Sequence, residues 1–143
     1  MPSDSASLRQ CRSVPKGKET LLFVEDDVMI RRIYSNFLRQ RGYTVLEAEH
    51  GRKAFEMYED NKDVIQLLVT DVVMPELNGR QLADLVSIHH PDLKVLYISG
   101  FTKESILQRG ILEAHMPYLE KPFGREELAL RIRQILDTTA TPA

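Results

Sequence analysis

The chain repeats one pattern: a short apolar run, a polar turn, then apolar residues at helical spacing. The runs begin near residues 20, 43, 66, 94 and 117, at steps of 23, 23, 28 and 23. Runs of this length that stop abruptly at polar residues read as buried strands. After the first, Ile30, Ile33, Tyr34, Phe37 and Leu38 recur at helical spacing, with Asp27 placed to cap the helix and Gly42 to end it. A second helix follows over Arg52 to Asp60, burying Ala54, Met57 and Tyr58, and a third carries Leu82, Leu85, Val86 and His89 and must stop before Pro91. A short helix spans Glu104 to Arg109. The last holds Leu128, Ile132 and Ile135, with Glu126 and Glu127 early and Arg131 and Arg133 later, the polarity that a helix dipole favours. Strands alternating with helices predict an α/β three-layer sandwich: a five-stranded parallel sheet with right-handed crossovers and helices on both faces.

In such a sheet every strand ends on one rim, where ligands bind. The sequence places Glu25 and Asp26 after the first strand, Asp71 after the third, Ser99 after the fourth and Lys121 after the fifth. Around Asp71 the run Gln66 to Val69 gives way to Pro75 and Asn78-Gly79, so this stretch alone reads as a strand cap and turn. The rest of the rim changes that preference. If the first and third strands are neighbours, three carboxylates crowd together, and their repulsion calls for a bound cation. All-oxygen ligation suits Mg²⁺. Zinc is disfavoured, because Cys11 lies in the N-terminal segment and His50, His89, His90 and His115 do not fall at ligand spacing near the acidic turn. A carboxylate beside Mg²⁺ and a fixed ammonium is equipped to attack phosphorus, so the inferred chemistry is phosphoryl transfer to Asp71.

Composition limits what surrounds that rim. A chain of 143 residues, 43% hydrophobic, suits one compact domain. Its net charge of −2 gives no basic field for nucleic acid or anionic membrane. A single cysteine suits a reducing compartment, and no apolar run approaches the roughly 18 residues of a membrane span. The expected location is the cytoplasm. Residues 1–18 lack a hydrophobic period and read as a flexible tail or linker, with Cys11 inert and Lys16-Gly17-Lys18 lacking the glycine spacing of a phosphate loop.

LLFVEDD, LLVTDVVMPELNG, VLYISG and YLEKPF together resemble the receiver domain of two-component response regulators. Each motif is weak alone, yet the four occur in family order at family spacing. The resemblance implies a flavodoxin-like (βα)5 fold with strand order 2-1-3-4-5. It bounds the receiver at 19–137, with 138–143 as a C-terminal tail. It implies that Asp71 is the phosphoacceptor, that Glu25 and Asp26 hold Mg²⁺ with Asp71 and the Val73 backbone carbonyl, and that Ser99 and Lys121 contact the phosphoryl group. Tyr118 stands at the aromatic switch position, where an ordinary half-buried aromatic is an equal reading, and the Lys121-Pro122 peptide is similar to one that is often cis. The implied donor is a sensor histidine kinase or phosphotransfer protein, with kinase contacts near Ile30, Arg31 and Tyr34. The implied output is a downstream protein at the face of helix four, strand five and helix five, where Ile106, Leu107 and Tyr118 are expected, and a homodimer, with no face assigned to it, is compatible with the resemblance. Such a domain is not a turnover enzyme, though it catalyses its own phosphorylation and slow self-dephosphorylation.

The chain departs from the family pattern at three places. Val73 and Phe101 are apolar where some members carry amides or acids that orient the hydrolytic water, which predicts slow self-dephosphorylation. Glu25 replaces the commoner aspartate. No output domain is expected after the last helix, which would leave no nucleic-acid module in this chain, since small domains need about 50 residues. A stand-alone regulator and the C-terminal receiver of a hybrid sensor kinase both fit, and the linker-like first 18 residues favour the second. Two readings from other classes stand beside these. One is an aspartate-nucleophile Mg²⁺ phosphatase of the haloacid dehalogenase type, which wants its nucleophile on the first strand and a second aspartate where Val73 stands. The other is an interaction module that is never phosphorylated.

Overall fold

A computed structural model describes residues 15–138. Five strands, β1 (Thr20–Val24), β2 (Thr44–Ala48), β3 (Ile65–Asp71), β4 (Lys94–Ser99) and β5 (Tyr118–Glu120), alternate with five helices. These are α1 (Val28–Gln40), α2 (Gly51–Asn61), α3 (Gly79–His89), α4 (Lys103–Gln108) and α5 (Arg125–Asp137). All pairings are parallel and the order is β2-β1-β3-β4-β5, as the resemblance implied. The expected tail at residues 1–14, Cys11 included, and residues 139–143 lie outside the described residues.

Alternation along each strand builds two cores. Leu21, Phe23, Leu67, Val69, Leu96 and Ile98 face α1 and α5 through Leu38, Leu128 and Ile132. Their neighbours Leu22, Val24, Leu68 and Tyr97 face the other way, against Ala54 and Tyr58 of α2, Leu82 and Val86 of α3 and Ile106 of α4. Strands buried on both faces need apolar residues at consecutive positions, which is why the runs in the sequence are continuous.

Local chemistry sets the helix limits. The Asp27 side chain accepts from the N–H groups of Met29 and Ile30 at 2.9 and 3.1 Å, and Gly42 past the end of α1 has φ +105°, a conformation open to glycine. Asn78 caps α3 in a reciprocal box with Gln81. Some expected core positions lie elsewhere. The buried stripe of α1 runs through Tyr34, Ser35 and Leu38, which turns Ile33 outward to 51% exposure, and Met57 and Leu85 likewise sit at the edges of their stripes. Ile106, expected on the output face, is fully buried, because the six-residue α4 turns it toward the sheet and leaves Leu107 half-buried beside it.

Ordered contacts begin before the expected domain boundary. Gly17 N–H donates to the Arg41 carbonyl at 3.0 Å, and the Arg133 guanidinium donates to the Lys16 carbonyl at 3.2 Å. Arg133 also grips Glu19 with both terminal nitrogens, at 3.0 and 2.5 Å, and reaches Asp137 and the Tyr43 hydroxyl. Those hydrogen bonds outweigh burial and hold Glu19 down at about 2. Its folded-state pKa is depressed, so the stabilisation is complete above the ordinary 4.5 and fades as pH falls toward 2. Glu19→Gln is expected to cost about 1–2 kcal/mol near neutral pH, the solvent exposure of the pair being discounted. Urea unfolding of both proteins at about pH 7 and about pH 3 checks it: the gap between them should narrow at the lower pH.

Candidate functional site

Because β1 and β3 are adjacent, with Val24 opposite Thr70, the acidic turn after β1 faces the end of β3. Carboxylate oxygens of Glu25, Asp26 and Asp71 lie within 4.8 Å of one another, the one such cluster of potential metal ligands among the described residues. Glu25 and Asp71 are buried, and Asp26 is exposed. Lys121, which follows β5, reaches back over the rim and places its ammonium 2.7 Å from Glu25 and 3.2 Å from Asp71. The Lys121-Pro122 peptide is cis.

Burial dominates the electrostatics. It pushes Glu25 up to about 7, the Lys121 hydrogen bond offsets part of this, and the charge of Asp71 adds to it. Asp71 is likewise raised by burial, with Lys121 working against the shift. Desolvation disfavours the Lys121 ammonium, yet its two carboxylate neighbours outweigh that and leave its pKa raised. One ammonium cannot balance three carboxylates. The donor set is all oxygen, from separate loops, with the buried members short of countercharge, and this fits a hard divalent cation.

Ser99 ends β4, buried, one residue beyond the Asp71–Ile98 pair. Its carbonyl accepts from Lys121 N–H at 2.7 Å, and its hydroxyl accepts from Phe101 N–H at 3.1 Å. Tyr118 is buried and donates its hydroxyl to the Phe101 carbonyl, and burial keeps that phenol protonated by raising its pKa. Val73 lies two residues past β3 with its side chain 48% exposed.

Several residues that shape the site carry no clear signal in the sequence. Arg31 donates to the Glu25 carbonyl at 2.8 Å and to Glu47 at 3.2 Å, so its side chain braces the acidic turn and is only 12% exposed. Tyr34 donates to the Phe123 carbonyl at 2.7 Å and packs on the Phe123 ring. Both were expected at a kinase contact, and both are held by partners inside the domain. Gly79 opens α3 where a Cβ would meet the Asp71 carbonyl oxygen at 2.3 Å, so any larger residue forces the backbone of the acidic strand end to move. The Asn78-Gly79 pair was visible as a turn signal, but the close approach was not.

Fold and rim together define a flavodoxin-like domain with an acidic crevice where its strands end. The family described as response regulator receiver domain matches residues 21–133, and the chain belongs to it. Sensor kinase CckA of Brucella abortus is 35% identical over 121 residues, 85% of this chain but only 13% of the kinase. The response regulator receiver protein CpdR of the same organism is 33% identical over 116 residues, covering 81% of this chain and 95% of CpdR. Among solved structures, the receiver domain of the hybrid histidine kinase CckA superposes with a TM-score of 0.71 at 35% identity, covering 82% of this chain and 99% of that one. This is therefore a signalling domain of two-component systems, and receivers as a family bind Mg²⁺ at an acidic pocket of this kind. No helix among the described residues is long and apolar enough to cross a membrane.

The raised Glu25 has a thermodynamic consequence. A folded-state pKa of about 7 against an ordinary 4.5 means that the folded domain holds the proton more tightly, so stability is lost as pH rises through 7. The ion-free domain should melt lower at about pH 8 than at about pH 5.5, and saturating Mg²⁺ should raise the melting temperature strongly only at the higher pH. An equal gain at both pH values would mean that the ion does not compete with the proton on Glu25.

Proposed function

We propose that Asp71 accepts a phosphoryl group from the phosphohistidine of a sensor histidine kinase or phosphotransfer protein. The observation that carries this is the convergence of three carboxylates at a sheet rim, two of them on the Lys121 ammonium, with Asp71 Oδ2 3.2 Å from it. Glu25, Asp26, Asp71 and the Val73 carbonyl would hold Mg²⁺, which when bound supplies charge neutralisation for the acids and for the incoming phosphoryl oxygens.

The chain's own groups do the rest. An Asp71 oxygen attacks phosphorus in line while the phosphorus–nitrogen bond breaks, and the imidazole nitrogen keeps the electron pair. Lys121 has three N–H donors, and Glu25 and Asp71 take two, which leaves one for a phosphoryl oxygen. Ser99 uses its oxygen as acceptor toward Phe101, and its proton, now beside the Tyr118 phenol, would turn to a phosphoryl oxygen. Val73 and Phe101 offer nothing to orient a hydrolytic water, so the acyl phosphate decays slowly.

Docking and output follow from exposure and from the family. Met29 and Ile33, 68% and 51% exposed on α1, are better kinase contacts than the engaged Arg31 and Tyr34. Downstream proteins, or a second receiver, would read the face of α4, β5 and α5. A phosphatase of the haloacid dehalogenase type is disfavoured, because Asp71 ends the third strand and Val73 stands where that chemistry needs a second acid. Both domain organisations occur among the relatives, with CckA carrying its match as a small part of a long kinase and CpdR as nearly the whole protein.

Acetyl phosphate with Mg²⁺ should add one phosphoryl mass per chain, lost in Asp71→Asn, and the adduct should persist for minutes or longer. An unmodified wild-type chain would refute the phosphoacceptor assignment, and a lifetime of seconds would refute the roles given to Val73 and Phe101.

A further inference from the structure

Three separate elements grip Phe101, in the loop between β4 and α4. Its N–H donates to the Ser99 hydroxyl at 3.1 Å, its carbonyl accepts from the Tyr118 hydroxyl, and the Arg109 guanidinium lies over its ring, 4.7 Å from the centroid. The loop lies at the surface: Phe101 is 37% exposed, and a Cβ at the neighbouring Gly100 would meet nothing within 4 Å. Burial therefore does not fix this loop. Arg109 is itself anchored at the C-terminal end of α4, its N–H donating to the Ser105 carbonyl at 3.1 Å.

The gripped residue connects the two groups that any rearrangement around Asp71 must involve. A hydroxyl has one proton and two lone pairs. With Phe101 N–H on a lone pair, the Ser99 oxygen is tied to the loop, and the same hydroxyl also bonds the Tyr118 phenol. Tyr118 is held inside by the same residue's carbonyl, so the unphosphorylated domain already has the aromatic turned in.

We propose that Arg109 is a positioning residue: seated on the Phe101 ring, it holds the β4–α4 loop in the arrangement that orients Ser99 toward a phosphoryl group and keeps Tyr118 buried. The proposal rests on the reading of Asp71 as phosphoacceptor. A contact made in one packing and released in the other biases the equilibrium between them by its own strength. Arg109 thus favours the phosphoryl-binding packing before any phosphoryl group arrives.

The test uses the full chain with Mg²⁺ and beryllofluoride, a phosphoryl mimic, read by calorimetry. Ring resonances of Tyr118 without ligand and the melting temperature are recorded alongside. Arg109→Ala and Phe101→Leu should each weaken beryllofluoride binding about 2- to 5-fold, the size expected of an exposed cation–aromatic contact. The double variant should bind no more weakly than either single one, Arg109→Lys should recover part of the loss, and Tyr118 should shift toward a solvent-exposed environment in both alanine and leucine variants. A lower melting temperature with unchanged affinity and an unmoved Tyr118 would make the contact merely structural and overturn the proposal, as would additive losses in the double variant. If wild type binds no beryllofluoride, the phosphoacceptor reading fails, and the ligand-free Tyr118 resonances still decide the loop contact: a moved ring supports it and an unmoved one overturns it.

Discussion

A single ammonium holds the carboxyl ends of three strands together. Lys121 sits 2.7 Å from Glu25 and 3.2 Å from Asp71, between acids that burial would otherwise neutralise. A buried carboxylate without a partner is costly, and two of them facing each other more so. The lysine also anchors the edge of the sheet. β5 is three residues long and pairs only with β4, so the contacts of the residue that follows it matter to its docking. Lys121 N–H on the Ser99 carbonyl and its side chain on the β1 and β3 acids tie that short strand to the centre. Site and fold share the same residue.

Rigidity is unevenly distributed around this point. On the β1 side, Glu25 is fixed by its carbonyl to Arg31, its N–H to Ala48 and its side chain to Asp27 N–H and Lys121. On the β3 side, Gly79 N–H donates to the Val72 carbonyl at 2.8 Å, which presses the start of α3 against the strand end. The β4 side is different: past Ser99 the chain is exposed over residues 100–102, and Phe101 is held by Ser99, Tyr118 and Arg109. The acids therefore stand on well-braced strand ends, beside a loop that is more exposed than they are.

The repeat of apolar runs made the architecture legible, because strands buried on two faces leave little choice of residue type and helices leave a different period. The rim acids were legible for the same reason, since each interrupts a run. Strand order was not: nothing in spacing says that β1 sits between β2 and β3, and only the resemblance supplied it. Contacts between distant elements were also hidden. Arg31 looks like any helical surface arginine until the pairing of Phe23 with Glu47 brings an acid beside it. Ile106 and Ile33 show the limit of apolar spacing, which predicts that a stripe exists but fixes its centre poorly when helices are short or bear apolar residues on several sides.

The glutamate at position 25 is explained by distance. β1 and β5 are separated by β3 and β4, so about 14 Å of sheet lies between their axes at ordinary strand spacing. Lys121 covers part of that with its long stem, and the extra methylene of glutamate over aspartate lengthens the reach from the other side. The geometry leaves one oxygen of Glu25 on Lys121 and the other on Asp27 N–H. A carboxylate offers about four lone-pair sites, so two such bonds do not exhaust it. The same side chain can close the ion pair that supports the sheet edge and still present an oxygen to a cation, and the burial that this position demands is what raises its pKa to about 7.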